Sequence, residues 1–189
     1  PNGPWVKNRK PGWYALPPSE THYSQLFFTR AYGDRHIQRY SPTPLIADAR
    51  LYFLSPKENI SEVISAILNS HIFSLFVETS GRVPMGDGAL ELTVEDARDY
   101  LLLPDANQFT ALQRKKIIEA FQPLMNREIK SIFSEMKKLD HQRLDELILE
   151  ALGLEPINWL PRIYEGIYTL VDERIALAKK RGQTKKARS

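Results

Sequence analysis

Apolar positions in the first part of the chain fall in short aromatic and β-branched runs, whereas further on they recur at helical spacing. QLFFTR (25–30), HIQRY (36–40) and LIADARLYFL (45–54) are separated by AYGD and SPTP, which are turn signals, so the pattern predicts a small antiparallel sheet. Ile60, Ile64, Ile67 or Leu68, Ile72, Leu75 and Phe76 then predict one amphipathic helix of roughly 20 residues. Two capping-box spacings could start it, Ser55 with Pro56 and Glu58, or Asn59 with Glu62. Its wide apolar face is expected to pack on the sheet.

The stretch NSHIFSLFVETSGRVPMGDGALELT (69–93) empties that helix into a loop with Gly81, Gly86 and Gly88, after which ALELT alternates like a strand. Thr93 and Asp96 have the spacing of a cap for VEDARDYLLL, which Pro104 stops. From Phe109 to Met136 the apolar positions keep a 3.6-residue beat, with Pro123 expected to kink or split the helix. DHQRLDELILEALG predicts a helix capped by Asp140 and ended by Gly153, and a last helix runs from about Pro156 to Ala178. The expected class is α+β: a small antiparallel or mixed sheet packed with helices (1–105), then a helical bundle (106–178). The basic tail 179–189 is expected to be disordered.

Three glycines so close together have two readings. Gly81 ends a helix while Gly86 and Gly88 turn the chain, or the bare backbone of the loop lies against a partner that Arg82 also reaches.

Composition narrows the chemistry. A chain of 189 residues with 42% apolar content can bury a core, and with no cysteine it has neither a disulfide framework nor a thiolate zinc site. Its four histidines, His22, His36, His71 and His141, show no metal-ligand spacing, and His71 reads as a partly buried helix residue rather than a ligand. No uninterrupted apolar run is long enough to span a membrane, and PNGPWVKNRK has no signal-like apolar stretch, so a cytoplasmic location is expected. The net charge of +3 belongs to the tail: Lys179, Lys180, Arg181, Lys185, Lys186 and Arg188 contribute +6, and 3 − 6 leaves −3 for residues 1–178. Residues 1–50 carry Lys7, Arg9, Lys10, Arg30, Arg35, Arg39 and Arg50 against Glu20, Asp34 and Asp48, so a polyanion would meet that segment first.

Catalytic signatures are missing from the sequence. It has no GxGxxG after a strand, no GxxxxGK[ST], no HExxH and no GxSxG, and the acids Asp87 and Glu91 lack the lysine that would complete a nuclease-like set.

The order of motifs nevertheless resembles a known arrangement. ILNSHIFSLFVETSGR, the loop VPMGDGAL, the strand LELT and the helix VEDARDYLLLPD, with GWYAL before them and RLDELILEALGL and IYEGIYTLVDERIALA after, are similar to the C-terminal target-recognition domain of adenine-specific (N6) DNA methyltransferases. These are enzymes of restriction-modification and phage-defence systems. The resemblance covers about residues 12–178. It implies that the chain binds double-stranded DNA and reads its sequence beside an N-terminal methyltransferase domain, and it implies S-adenosylmethionine for that parent enzyme. The Asn-Pro-Pro-aromatic motif and the glycine-bearing cofactor site of such enzymes are absent from these residues, so no catalytic residue, metal or cofactor is expected in this part. The expected DNA contacts are Arg30, Tyr32, Arg35, Arg39, Arg82, Gly86 and Gly88. The alternative is a helical protein-interaction or scaffold module, whose apolar faces on 109–178 bind another subunit.

Overall fold

The computed structural model describes residues 23–47, 50–56, 60–83, 88–99 and 103–186. The protein is α+β, as the hydrophobic pattern predicts. Strands β1 (Ser24–Thr29), β3 (Arg39–Leu45) and β4 (Leu51–Leu54) form an antiparallel sheet in the order β3-β1-β4, and β2 (Ala31–Tyr32) pairs antiparallel with β5 (Leu90–Glu91). The central β1 carries the buried residues Leu26, Phe27 and Phe28. Phe27 pairs with Phe53 across the ladder, their ring centroids 5.8 Å apart. β3 holds Pro42 and Pro44, and a proline without an N–H suits an edge strand.

The helix expected over about 60–76 is two helices, α1 (Ser61–Leu68) and α2 (His71–Ser80), bent by 65°. Ser70 makes the break. Its hydroxyl donates to Ile67 O at 2.7 Å and accepts from Phe73 N at 3.2 Å, so one side chain closes α1 and caps α2. Neither expected capping box starts α1; its cap residue is Ile60, which has no side-chain cap bond. Lys57, Glu58 and Asn59 lie outside the described residues.

After β5, Thr93 caps α3 (Val94–Asp99) as expected. Its hydroxyl accepts from Asp96 N at 3.1 Å, and Asp96 Oδ2 accepts from Thr93 N at 3.0 Å. The expected long helix over 109–136 stops early: α4 is Ala111–Met125, ending two residues past Pro123, and only the short α5 (Ile132–Glu135) follows. Thr110 starts α4 in a reciprocal capping box with Gln113. α6 (Leu139–Ala151) begins at Lys138 rather than at an Asp140 cap. Its C-terminus is as read: Gly153 has a φ of +74°, its N–H reaches Glu150 O at 3.1 Å, and Leu154 N reaches Leu149 O at 2.9 Å.

α7 runs from Pro156 to Lys186, eight residues beyond the expected end. The expectation of a disordered tail is corrected over that span, because residues 179–186 continue the helix; 187–189 lie outside the described residues.

The main core joins both halves of the chain. Val63, Ala66 and Ile67 of α1 and Ile72 of α2 pack with Ile117 and Phe121 of α4, Leu144 and Ile148 of α6, and Ile167 and Val171 of α7. Residue 105 is therefore no boundary between separate cores. A smaller cluster of Phe28, Tyr32, Leu68, Phe73, Val77, Leu90 and Leu92 sits under the sheets.

Candidate functional site

Residues 33–38, between β2 and β3, form no ladder, so their polar backbone needs other partners. Arg174 of α7 donates from Nη2 to Gly33 O at 2.9 Å, and Ile132 N donates to Asp34 O at 2.7 Å. Thr29 Oγ1 donates to Ile37 O at 2.7 Å. Gln38 is the most heavily tied residue. Its side-chain Oε1 accepts from Thr29 N at 2.8 Å, its Nε2 donates to Tyr32 Oη at 2.7 Å, and its backbone N–H donates to Asn69 Oδ1 at 3.0 Å. The segment is irregular yet held by β1, the α1–α2 bend, α5 and α7.

Two cationic side chains, one in this stretch and one at its junction with β3, take no part in those bonds. Arg35 and Arg39 are exposed, and among the described residues neither guanidinium forms a salt bridge. Both line an open cleft of about 380 Å³ between the 35–40 segment and the end of α4. The far wall is Phe121, Leu124, Met125 and Ile129, and the cleft also meets Asn69 and His141.

Other charges at the cleft are already balanced. Arg127 is held by Glu135 Oε2 at 2.6 Å and Asp140 Oδ2 at 2.7 Å, and Glu128 is paired with Lys130. Burial would raise the Glu135 carboxyl, but hydrogen bonds from His141, Arg127, Lys130 and Lys138 outweigh it and hold the group ionised, far below the ordinary range. Arg35 and Arg39 add positive charge to the cleft with no salt bridge among the described residues, although Arg35 also helps to hold the Glu128 carboxyl below its ordinary range, after Lys130.

A buried polar network supports this floor from below. Asp145 accepts from His71 N at 2.8 Å, His71 Nδ1 at 2.7 Å and Tyr164 Oη at 2.8 Å, joining α2, α6 and α7. The His71 and His141 ring centroids are 4.0 Å apart. His141 faces an acceptor on each side, Glu135 Oε2 at 3.2 Å and Asn69 O at 2.8 Å. His71, His141 and Asp145 bring possible ligand atoms within 4.8 Å of one another. His71 Nδ1, both His141 ring nitrogens and the Asp145 carboxylate make hydrogen bonds within the chain, and His71 Nε2 is buried without a partner. The cluster is a hydrogen-bonded brace. His71 is fully buried, deeper than its sequence context suggests.

A second brace holds the other side. Glu78 takes Arg174 Nη2 at 2.7 Å and His36 Nε2 at 2.8 Å, both partners being largely buried.

The remaining expected contacts are dispersed. Arg30 is exposed at the end of β1 and does not line the cleft. Arg82 is exposed but engaged, its Nη2 2.6 Å from Asp96 Oδ1, while its backbone bridges to Glu91. Tyr32 is corrected outright: it is 1% exposed, its ring packs with Phe28, and its hydroxyl accepts from Gln38, so it serves the core. Gly88 is corrected as well. It has a φ of +73°, a Cβ there would stand 2.6 Å from Ala178 Cβ, and its carbonyl accepts from Arg174 Nη1. The close approach its sequence context suggests is to the chain's own last helix. Gly81, with a φ of −76°, adopts no left-handed turn; a Cβ there would meet the Leu90 side chain at 2.5 Å. Gly86 and Asp87 lie outside the described residues.

Sequence reasoning missed Asn69 and Gln38, which hold the arginine segment. The Asn69 of the LNS motif was legible only as part of a resemblance, because its partner is 31 residues away. Comparisons with protein-family models, with curated proteins and with solved structures each found no match. Among the described residues no single helix is long and apolar enough to cross a membrane.

Proposed function

We propose that this chain is the target-recognition part of a cytoplasmic N6-adenine DNA methyltransferase of the restriction-modification or phage-defence type. It grips duplex DNA and does not itself transfer methyl groups; S-adenosylmethionine and catalysis belong to a methyltransferase domain of the parent. The observation that supports this most directly is the pair of exposed guanidiniums, Arg35 and Arg39, which form no salt bridge among the described residues and flank a segment whose Ile37 carbonyl and Gln38 N–H are held by Thr29 and Asn69. Presentation of cations outside salt bridges on a restrained backbone suits a polyanion, because the fold has already restricted the backbone that carries them. Arginine can serve such a surface either on phosphates or on the guanine edge.

A salt titration tests the reading. Binding of the chain to duplex DNA should weaken steeply between low and high salt through counterion release. Arg35→Ala and Arg39→Ala should each weaken it. Binding to another protein through exposed apolar residues of α7 such as Trp159 and Tyr168, flat in salt and with no DNA binding at either ionic strength, would instead establish the interaction-module reading.

A further inference from the structure

The cleft beneath Arg35 and Arg39 does not end at β3. Tyr40 lines it and also lines a second cleft, of about 490 Å³, between β3, the start of α1 and the first half of α4. α4 supplies a wall to both, Phe121 and Met125 to the first, Arg114 and Lys115 to the second. The two clefts form one groove along this 15-residue helix, about 22 Å at a rise of 1.5 Å per residue, with Tyr40 as the saddle between them.

Arg114 is half-buried in the second cleft, and among the described residues its guanidinium forms no salt bridge. The acids there are partnered: Glu62 Oε1 accepts from Gln122 Nε2 at 2.7 Å, and Glu119 Oε1 lies 3.8 Å from Lys115 Nζ. Burial, and Glu62 after it, pushes the Tyr40 phenol up, so the ring stays neutral.

A recessed cation favours a thin partner. Phosphates of a duplex can reach the exposed Arg35 and Arg39 on the rim, but a duplex is too wide to lay its backbone on a half-buried guanidinium between one strand and one helix. A single strand is thin enough, and its bases offer a face that stacks on aromatic side chains. We propose that this groove binds a single strand of nucleic acid without regard to sequence, with phosphates on Arg39 and Arg114 and one base stacked on Tyr40. A groove of about 22 Å holds a few nucleotides, in keeping with the about 4–16 that one single-strand site covers. Such a strand site goes beyond the duplex contact proposed above and does not depend on it.

The test compares the chain's binding, at low salt, to an oligothymidine of about 12 nucleotides, a duplex of equal length and an oligoglutamate of matching charge. Arg114→Ala should weaken binding of the oligothymidine and lower its salt slope by about 0.7, the share of one phosphate on a single strand, while leaving duplex affinity unchanged. Tyr40→Leu should weaken the oligothymidine about fivefold or more, the lower end of what one stacked base contributes, whereas Tyr40→Phe, which keeps the ring, should not. Melting temperatures establish that each variant is folded. If the oligothymidine does not bind, or binds no better than the oligoglutamate, the single-strand site is overturned, and duplex binding by itself still supports the target-recognition reading. If folded Arg114→Ala and Tyr40→Leu both bind the oligothymidine like the unaltered chain, the strand lies elsewhere and the site is overturned. If the oligothymidine binds as expected and the duplex does not, the site stands and the target-recognition reading fails.

Discussion

Asn69 pairs its side-chain amide with both backbone groups of Gln38, Oδ1 accepting from the N–H at 3.0 Å and Nδ2 lying 3.3 Å from the carbonyl. The same residue donates to Ser65 O at 2.9 Å, and its own carbonyl accepts from His141 Nε2 at 2.8 Å. The bend between α1 and α2 therefore acts as a jig for the segment that carries Arg35 and Arg39.

Replacing that amide should loosen the jig. Asn69→Ala leaves the Gln38 N–H without its partner in a largely buried setting, at a cost of about 1–3 kcal/mol in urea or guanidinium unfolding. DNA affinity of the folded variant should also fall, although Asn69 carries no charge. A variant with unchanged stability and unchanged affinity would show that the pairing does not position the arginines.

Gly88 separates the two readings of the glycine loop. Its φ of +73° is costly for a side-chain-bearing residue, and a Cβ would stand 2.6 Å from Ala178 Cβ. Gly88→Val should lower the melting temperature by several degrees, in line with a loss on the order of 2 kcal/mol or more. DNA binding should decline only as far as the folded fraction does. Normal melting with abolished binding would mean that Gly88 faces the DNA after all.

How far the sequence reveals this fold depends on the range of the interactions that set each element. The sheet segments, the Thr93–Asp96 cap and the Gly153 stop are local, so spacing alone finds them. Ser70 breaks a continuous apolar pattern by bonding both ways along the chain, and a 3.6-residue beat passes through it unmarked. Arg35 and Arg39 can be picked out as cations on a turn. That they share a cleft with Met125 depends on contacts across some 90 residues, which no periodicity encodes. Tyr32 shows the reverse: beside Arg30 and Gly33 it resembles a surface aromatic, yet the β2–β5 pairing turns it into the core.

Acid should unfold the protein in stages. Burial pushes the His71 imidazole down from its ordinary value of 6.5, so the unfolded chain takes up that proton first and stability begins to fall as pH drops below about 6.5. Burial pushes the Glu78 and Asp145 carboxyls up, but the His36 and Arg174 bonds on one and His71 on the other outweigh it and hold both below the usual range. A depressed carboxylate contributes stability above its unfolded value, near 4.5 for Glu78, and that contribution is lost as pH falls toward the folded value. Melting temperature followed from pH 7.5 to 3.5 should therefore decline, slowly at first and steeply below about 4.5. A constant melting temperature over this range would contradict the assigned roles of both braces.

The end of α7 should matter for affinity rather than for folding. Residues Lys179, Lys180 and Arg181 are exposed, whereas Arg174 and Ala178 hold the Gly88 turn. Removing 179–189 takes away six cations and leaves those contacts, so the melting temperature should change by no more than a few degrees. Affinity for all DNA sequences should fall alike, with a shallower salt slope. A stop before Arg174 should instead collapse the Glu78 brace and the fold with it.

Four arginines of similar appearance in the sequence should behave as two kinds. Arg82 is tied to Asp96, whose carboxyl is held below its ordinary range by the Thr93 N–H first and by Arg82 after it, so Arg82 has a local partner to lose. Among the described residues Arg35 and Arg39 form no salt bridge, and Arg30 stands exposed away from the cleft. Arg82→Ala should therefore leave DNA affinity within about twofold, since an exposed cation already paired contributes little to a polyanion. Arg35→Ala and Arg39→Ala should weaken binding. A residue that touches phosphate should lower the salt slope by about one unit and weaken all sequences, whereas one that reads a base should cost about 1–3 kcal/mol and relax preference at one base pair. Arg30→Ala should follow the phosphate pattern if the duplex extends past the cleft along β1. Singly substituted chains titrated at two salt concentrations against two sequences decide among these. If Arg82→Ala proves the most damaging of the four, the contact surface lies on the glycine-loop side of the molecule, and the cleft is not where this protein meets DNA.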